Sequence, residues 1–246
     1  MKEKPKASME KPSFIFHLST RDVASTSIFA ALYVALGYIP LFYIFGSYGQ
    51  YITAALIFAP IIGIVLGPVG GGLATAIGGI IGMMLTGNMP MGIFSFLPGT
   101  LGALCVGLTY RGKWYVSAVI FAFFIIGFAA LPSIGAAKYY VWLHALALLL
   151  LMSPASTLAV AYTKSLDPQK LVFGVSILAF IGVLVDHIVG SMIYQLLYPL
   201  PESVWATFAF VYPLERLLVT IVAAIIGVGI IKGVKASGLN IGEVIA

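Results

Sequence analysis

Leu171-Val-Phe-Gly-Val-Ser-Ile-Leu-Ala-Phe-Ile-Gly-Val-Leu-Val-Asp186-His187-Ile-Val-Gly-Ser-Met-Ile-Tyr-Gln-Leu-Leu-Tyr198 is apolar or small at nearly every position, with one ionisable pair in its middle. The run exceeds the ~20 residues a helix needs to cross a hydrocarbon core of ~30 Å. A helix also satisfies its own backbone groups where there is no water to do so. Thr207 to Ile231 repeats the pattern, now with Glu215-Arg216 inside it. An ionised side chain at that depth costs several kcal/mol by most estimates, so such groups face protein and pair or bind something.

The rest of the chain agrees with an all-α, polytopic membrane helix bundle. Of 246 residues 61% are hydrophobic and 9% are charged, far from the range of a soluble domain. Eight spans are predicted: Val23 to Ile44, Tyr51 to Leu66, Val69 to Leu85, Met91 to Tyr110, Trp114 to Leu131, Tyr140 to Tyr162, Leu171 to Tyr198 and Thr207 to Ile231. With the N-terminus in the cytoplasm, Lys2, Lys4, Lys6, Lys11, Arg21, Arg111, Lys113, Lys164, Lys170, Lys232 and Lys235 fall on one side, eleven of the thirteen Lys and Arg residues. The positive-inside rule then places both termini in the cytoplasm and leaves Lys138 outside. Membrane topology accounts for the net charge of +5, and no nucleic acid partner is invoked.

Four regions follow: a cytoplasmic tail over 1–20, a small-residue-rich helical half over 21–110, a second helical half with the polar cluster over 111–236, and a tail over 237–246. The tail over 1–13 has no apolar run ending in a small-residue cleavage site. Ser19 or Thr20 is expected to cap the first helix. Cys105, the single cysteine, has no partner for a disulfide.

In the first half, Gly63-Ile-Val-Leu-Gly67, Ala74-Thr-Ala-Ile-Gly78 and Gly78-Gly-Ile-Ile-Gly82 place small residues four apart, a spacing that lets helices approach closely. Gly67-Pro68 with Gly70, Gly71 and Gly72 predicts a turn between spans two and three. Gly46-Ser-Tyr-Gly-Gln50 and Gly87-Asn-Met-Pro90 read as external loops that reverse the chain or cover a pocket. Tyr43, Tyr48, Tyr51, Tyr139, Tyr140 and Trp142 fit an external aromatic belt.

The second half carries the chemistry. Counted from the external ends at ~1.5 Å per residue, His144 lies near the surface, Glu215 ~12 Å down and Asp186 ~18 Å down, so three helices bring polar groups to overlapping depths. Asp186 is expected to pair with Arg216, leaving His187 and Glu215 to face a ligand or each other. The candidate substrate-binding residues are Asp186, His187, Glu215, Arg216, His144, Gln195, Tyr212, Asn88 and Gln50, with Tyr48 as a lesser candidate. Pro213 is expected to free the carbonyl of Ala209. Two readings of the cluster stand: a self-satisfied network holding spans seven and eight in register, or the lining of a cavity open to the outside. No phosphate loop, metalloprotease motif or nucleophile triad is present, which argues against an enzyme, and no metal or cofactor is expected.

Ser27-Ile-Phe-Ala-Ala-Leu-Tyr-Val-Ala-Leu-Gly-Tyr-Ile-Pro40 resembles the first helix of the substrate-binding (S) components of energy-coupling factor transporters, whose Ala-x-x-x-Ala element would here be Ala31 and Ala35. The resemblance continues through Ala59-Pro-Ile-Ile-Gly-Ile-Val-Leu-Gly-Pro-Val-Gly-Gly-Gly72 and Phe94-Ser-Phe-Leu-Pro-Gly-Thr-Leu-Gly-Ala103. It implies a lipid-embedded subunit that captures a vitamin or other scarce small-molecule substrate outside the cell. It also implies a transmembrane coupling subunit, docked at Ala31 and Ala35, and two cytoplasmic ATPase subunits. S components usually have six helices where eight spans are counted here, so the cluster around Asp186 and Glu215 rests on depth alone. Members that take cobalt or nickel carry an early histidine, where this chain has Lys2 and Glu3. The alternative function is a self-sufficient proton-coupled secondary transporter with Asp186, His187 and Glu215 as the relay.

Overall fold

The computed structural model describes residues 19–44 and 49–238. Most of both predicted tails, and Tyr48, lie outside the described residues. The elements are α1 (Thr20–Leu36), β1 (Pro40–Tyr43), β2 (Tyr51–Thr53), α2 (Ala55–Thr86), α3 (Leu97–Tyr110), α4 (Trp114–Ala129), α5 (Trp142–Met152), α6 (Pro154–Thr163), α7 (Pro168–Leu197) and α8 (Glu202–Ala236). The fold is an all-α bundle with one small hairpin. Ser19 caps α1, and its side chain and that of Asp22 each accept a hydrogen bond from the other's backbone N–H.

Two sequence expectations need correction. The outer end of span one and the start of span two are strands, not helix. Tyr43 pairs with Tyr51 and Phe42 with Ile52 in an antiparallel hairpin. Pro40 cannot donate the bond a continuing helix needs, and the aromatic and β-branched residues after it suit a strand. Span six is broken: α5 and α6 are bent by 71° to one another. The break falls at Ser153, which is extended and whose side chain accepts a hydrogen bond from the Ala155 N–H, just before Pro154 at the start of α6. The eight predicted spans overlap α1, the two parts of α2 on either side of Gly67, α3, α4, the α5–α6 pair, α7 and α8. Four stretches, α2, Gly92–Tyr110, α7 and α8, are long and apolar enough to cross a membrane, and α5 with α6 makes a fifth if the bent pair is one span.

The predicted turn at Gly67-Pro68 is present inside α2. Gly67 has φ 74°, ψ −172°, a backbone that L side chains rarely adopt. A Cβ built on Gly71 would lie 2.9 Å from the Gly63 Cα, whereas residues eight apart in a straight helix are ~12 Å apart. The chain doubles back there, giving two legs, 55–66 and 68–86. Small residues make the surrounding contacts: Gly63 faces the Ala103 carbonyl, Gly107 the Gly67-Pro68 bond, and Gly78 the Ala30 carbonyl and Tyr33. Spans two to four are packed as the spacing predicted.

Helix α7 runs through the centre, against α2, α3, α6 and α8. Gly182 lies against Pro60 and Val106, and Gly174 against the Ala159 carbonyl. The basic residues gather at one end of the bundle. Lys235 Nζ donates to the Thr163 and Ser165 carbonyls at 2.8 and 3.0 Å, Arg21 donates to the Gly238 carbonyl, and Lys164 lies over the Tyr110 ring. The hairpin, the loop after α2 and the loops flanked by Gln195 and Ser133 are at the other end.

Candidate functional site

Beneath the hairpin lies a cavity of about 270 Å³, walled by α1, both legs of α2, the start of α3, α7 and α8. That is just under the range of ~300–1,000 Å³ common for small-molecule pockets. Phe42, Tyr43, Tyr51 and Ile52 roof it, and Phe96, Trp205, Phe208 and Tyr212 give it aromatic sides. Polar groups line the inner part: Asp186, His187, Ser191, Glu215 and Arg216. The overlap in depth inferred from the sequence therefore corresponds to one shared space.

His187 belongs to a hydrogen-bonded chain. Its Nδ1 is 3.1 Å from His144 Nε2, and its Nε2 is 3.2 Å from the Tyr140 hydroxyl. Tyr140 Oη is 2.8 Å from Ser191 Oγ, and Ser191 donates to the His187 carbonyl one turn back. The Tyr212 hydroxyl donates to the Tyr140 carbonyl at 2.8 Å and lies 3.4 Å from His144 Nδ1. The His144 ring stacks on those of His187 and Tyr212 with centroids 5.1 and 5.2 Å apart, and the His187 and Tyr212 rings are tilted at 4.6 Å. Both nitrogens of His187 thus have protein partners.

Arg216 differs. It is only 3% exposed and lines the cavity, yet its Nε has no hydrogen-bond partner among the described residues. Among the described residues the predicted Asp186–Arg216 ion pair does not form at 4.0 Å or less. The two side chains line the same cavity from different helices. Asp186 keeps partial exposure and also lies near Gly99 and Gly102 of α3.

Other candidates sit elsewhere than expected. His144, two residues after the start of α5, is fully buried beside His187 and not at the surface. Gln195 lies outside the cavity lining. Its side chain donates to Ser133 Oγ and the Leu200 carbonyl, and accepts from the Leu200 N–H and Trp205 Nε1. Asn88 lines the cavity but binds the Tyr51 backbone, donating at 2.8 Å and accepting at 3.0 Å. Gln50 Oε1 accepts from the Met89 N–H at 2.7 Å, so these two residues clasp the hairpin to the loop after α2. The Ala209 carbonyl, freed by Pro213, accepts from Trp142 Nε1 at 3.1 Å, and α8 runs on through the proline.

Sequence reasoning missed Tyr33, Ser191, Trp205 and Phe208. Ser191 was the findable one, since it stands one helical turn from His187 on the same face. Tyr140, expected in the aromatic belt, is 1% exposed and central to the network, whereas Tyr43 and Tyr139 are exposed as a belt requires.

The family described as "ECF-type riboflavin transporter, S component" matches residues 17–166, more than half of the chain. The chain belongs to this family of S components. Its members are membrane transporter subunits and not enzymes, in agreement with the absence of a catalytic motif. The S component is also 30% identical over 164 residues to an uncharacterized protein of Methanocaldococcus jannaschii, covering 66% of this chain and 54% of that one. It therefore spans about half the length of the curated relative it matches. No solved structure matches it. The family match covers α1 to α6, so it includes the hairpin roof and the small-residue wall. Asp186, His187, Glu215 and Arg216 lie beyond it.

Proposed function

We propose that this S component is the solute-binding subunit of an ATP-driven uptake transporter. It captures a small ring-bearing vitamin from outside the cell, and riboflavin is the first solute to test. The cavity under the hairpin carries this reading: it joins aromatic walls, which suit a planar ring, to an inner set of charged groups that can fix its orientation. The family's description supplies the choice of riboflavin. The family does not favour the proton-coupled alternative.

The partners are a transmembrane coupling subunit and two cytoplasmic ATPases. The basic end of the bundle faces the cytoplasm and the hairpin end faces outward. Ala31 and Ala35 form the docking surface. Both are exposed on α1, in line with exposed Ala24 and Ile28, while Ala30 and Tyr33 turn inward. Small exposed residues let a partner helix approach closely.

The test is titration of the purified protein with riboflavin, following quenching of the vitamin's fluorescence. Saturable quenching is expected. No quenching, together with a different small molecule in mass spectra of the purified protein, would remove riboflavin as the solute. Uptake by liposomes holding the isolated protein under a pH gradient, without ATP, would overturn the subunit assignment.

A further inference from the structure

Most polar groups facing the cavity already have protein partners. His187 is held by His144 and Tyr140, Ser191 by Tyr140 and its own helix, and Asn88 by the Tyr51 backbone. Arg216 is the contrast: it lines the cavity, its enclosed Nε has no partner, and no hydrogen bond from the described residues holds its terminal nitrogens. Asp186, on α7, lines the same cavity and makes no ion pair with it at 4.0 Å or less among the described residues. A buried cation beside a carboxylate it does not touch leaves a donor and an acceptor open toward the same space.

We propose that Arg216 and Asp186 form a bracket that reads neighbouring acceptor and donor groups on the edge of one planar ring. The guanidinium donates to a ring carbonyl and the carboxylate accepts from the adjacent ring N–H. The substrate class is a heterocycle with an imide edge, an N–H flanked by carbonyls. Such an edge inserts between the two side chains and completes both, while the aromatic sides enclose the remaining ring surface. A ring lacking the N–H leaves the carboxylate without a donor in a closed, low-dielectric site, and sites built to hydrogen-bond a polar group discriminate strongly against analogues that lack it.

This inference rests on the solute-binding reading above, and riboflavin, whose ring carries an imide edge, serves as the probe. Its affinity is compared with that of N3-methyl-riboflavin, in which a methyl group replaces the imide hydrogen, by fluorescence quenching of the full-length protein. The methylated analogue is expected to bind at least tenfold more weakly to the unmodified protein, the order expected for one lost hydrogen bond to a charged group. In Asp186→Ala the gap between the analogues should close, and in Arg216→Met both should weaken together. Equal affinity of the two analogues for the unmodified protein, or a gap that persists in Asp186→Ala, overturns the bracket and leaves the transporter assignment standing. If riboflavin itself does not bind, the choice of solute fails and the bracket falls with it. The first comparison needs no variant, so a failure of Asp186→Ala to fold does not protect the proposal.

Discussion

Two polar residues on α7, Asp186 and Gln195, look alike in a hydropathy plot and act differently in the fold. Gln195 joins the end of α7 to the Ser133 loop, to Leu200 and to Trp205 through four hydrogen bonds. Gln195→Ala leaves a buried indole N–H and a backbone N–H without acceptors, at a cost of about 1–3 kcal/mol each where water cannot replace the bond. The expected result is a lower melting temperature in detergent, with solute affinity changed far less than in Arg216→Met. His144 supports the site at one remove, because it touches His187 and Tyr212 but does not line the cavity. His144→Phe should fill the space yet release His187 Nδ1. Titration is expected to show weakened solute binding while the unfolding temperature moves by only a few degrees; unchanged affinity would show that the ring alone matters.

Among the elements, the packing of α2 on α3 depends on small groups meeting closely. A methyl on Gly63 would collide with the Ala103 carbonyl, a backbone atom that cannot swing aside, while nothing lies within 4 Å of the corresponding position on Gly229. Overpacking of this kind costs about 1–3 kcal/mol. Gly63→Ala should therefore lower thermal stability clearly, and Gly229→Ala should not, which a paired melting experiment can check. The hairpin is held at its far side by Asn88 and Gln50. Asn88→Ala removes both bonds to Tyr51, so the roof should open more often. Stopped-flow measurements should find faster solute release with a smaller change in capture rate.

For the whole molecule, the bundle separates its two ends by charge. Arg21, Lys164 and Lys235 meet at one end, while the hairpin, Asn88 and the Gln195 contacts occupy the other. The proposed orientation, with the basic end in the cytoplasm, is the one the positive-inside rule predicts. Cys105 is fully buried, so it gives little background to an impermeant thiol reagent. In intact cells Lys138→Cys should be labelled from outside, and Lys113→Cys only after the membrane is opened; the reverse pattern would invert the molecule and place the cavity on the wrong side for uptake.

Helix content, membrane residence and the Gly67 reversal were legible in the residues, because hydrophobic length and small-residue spacing act locally and leave a local trace. Counting along a helix of fixed rise also put Asp186, Glu215 and Arg216 at overlapping levels, and all three line one cavity. The break between α5 and α6 and the hairpin were harder to see, since apolar composition suits a buried helix or a short strand equally until neighbours decide. Pairing within the site was not legible at all. Depth fixes the level of a side chain but not the rotation of its helix, and that rotation buried His144, gave His187 to Tyr140, turned Gln195 away and held Asp186 apart from Arg216. The sequence alone determined that costly polar groups would meet inside the bundle. Only the packing of α7 against α8 and α5 decided which of them satisfy one another and which do not, because side-chain pairing depends on how each helix is rotated against its neighbours.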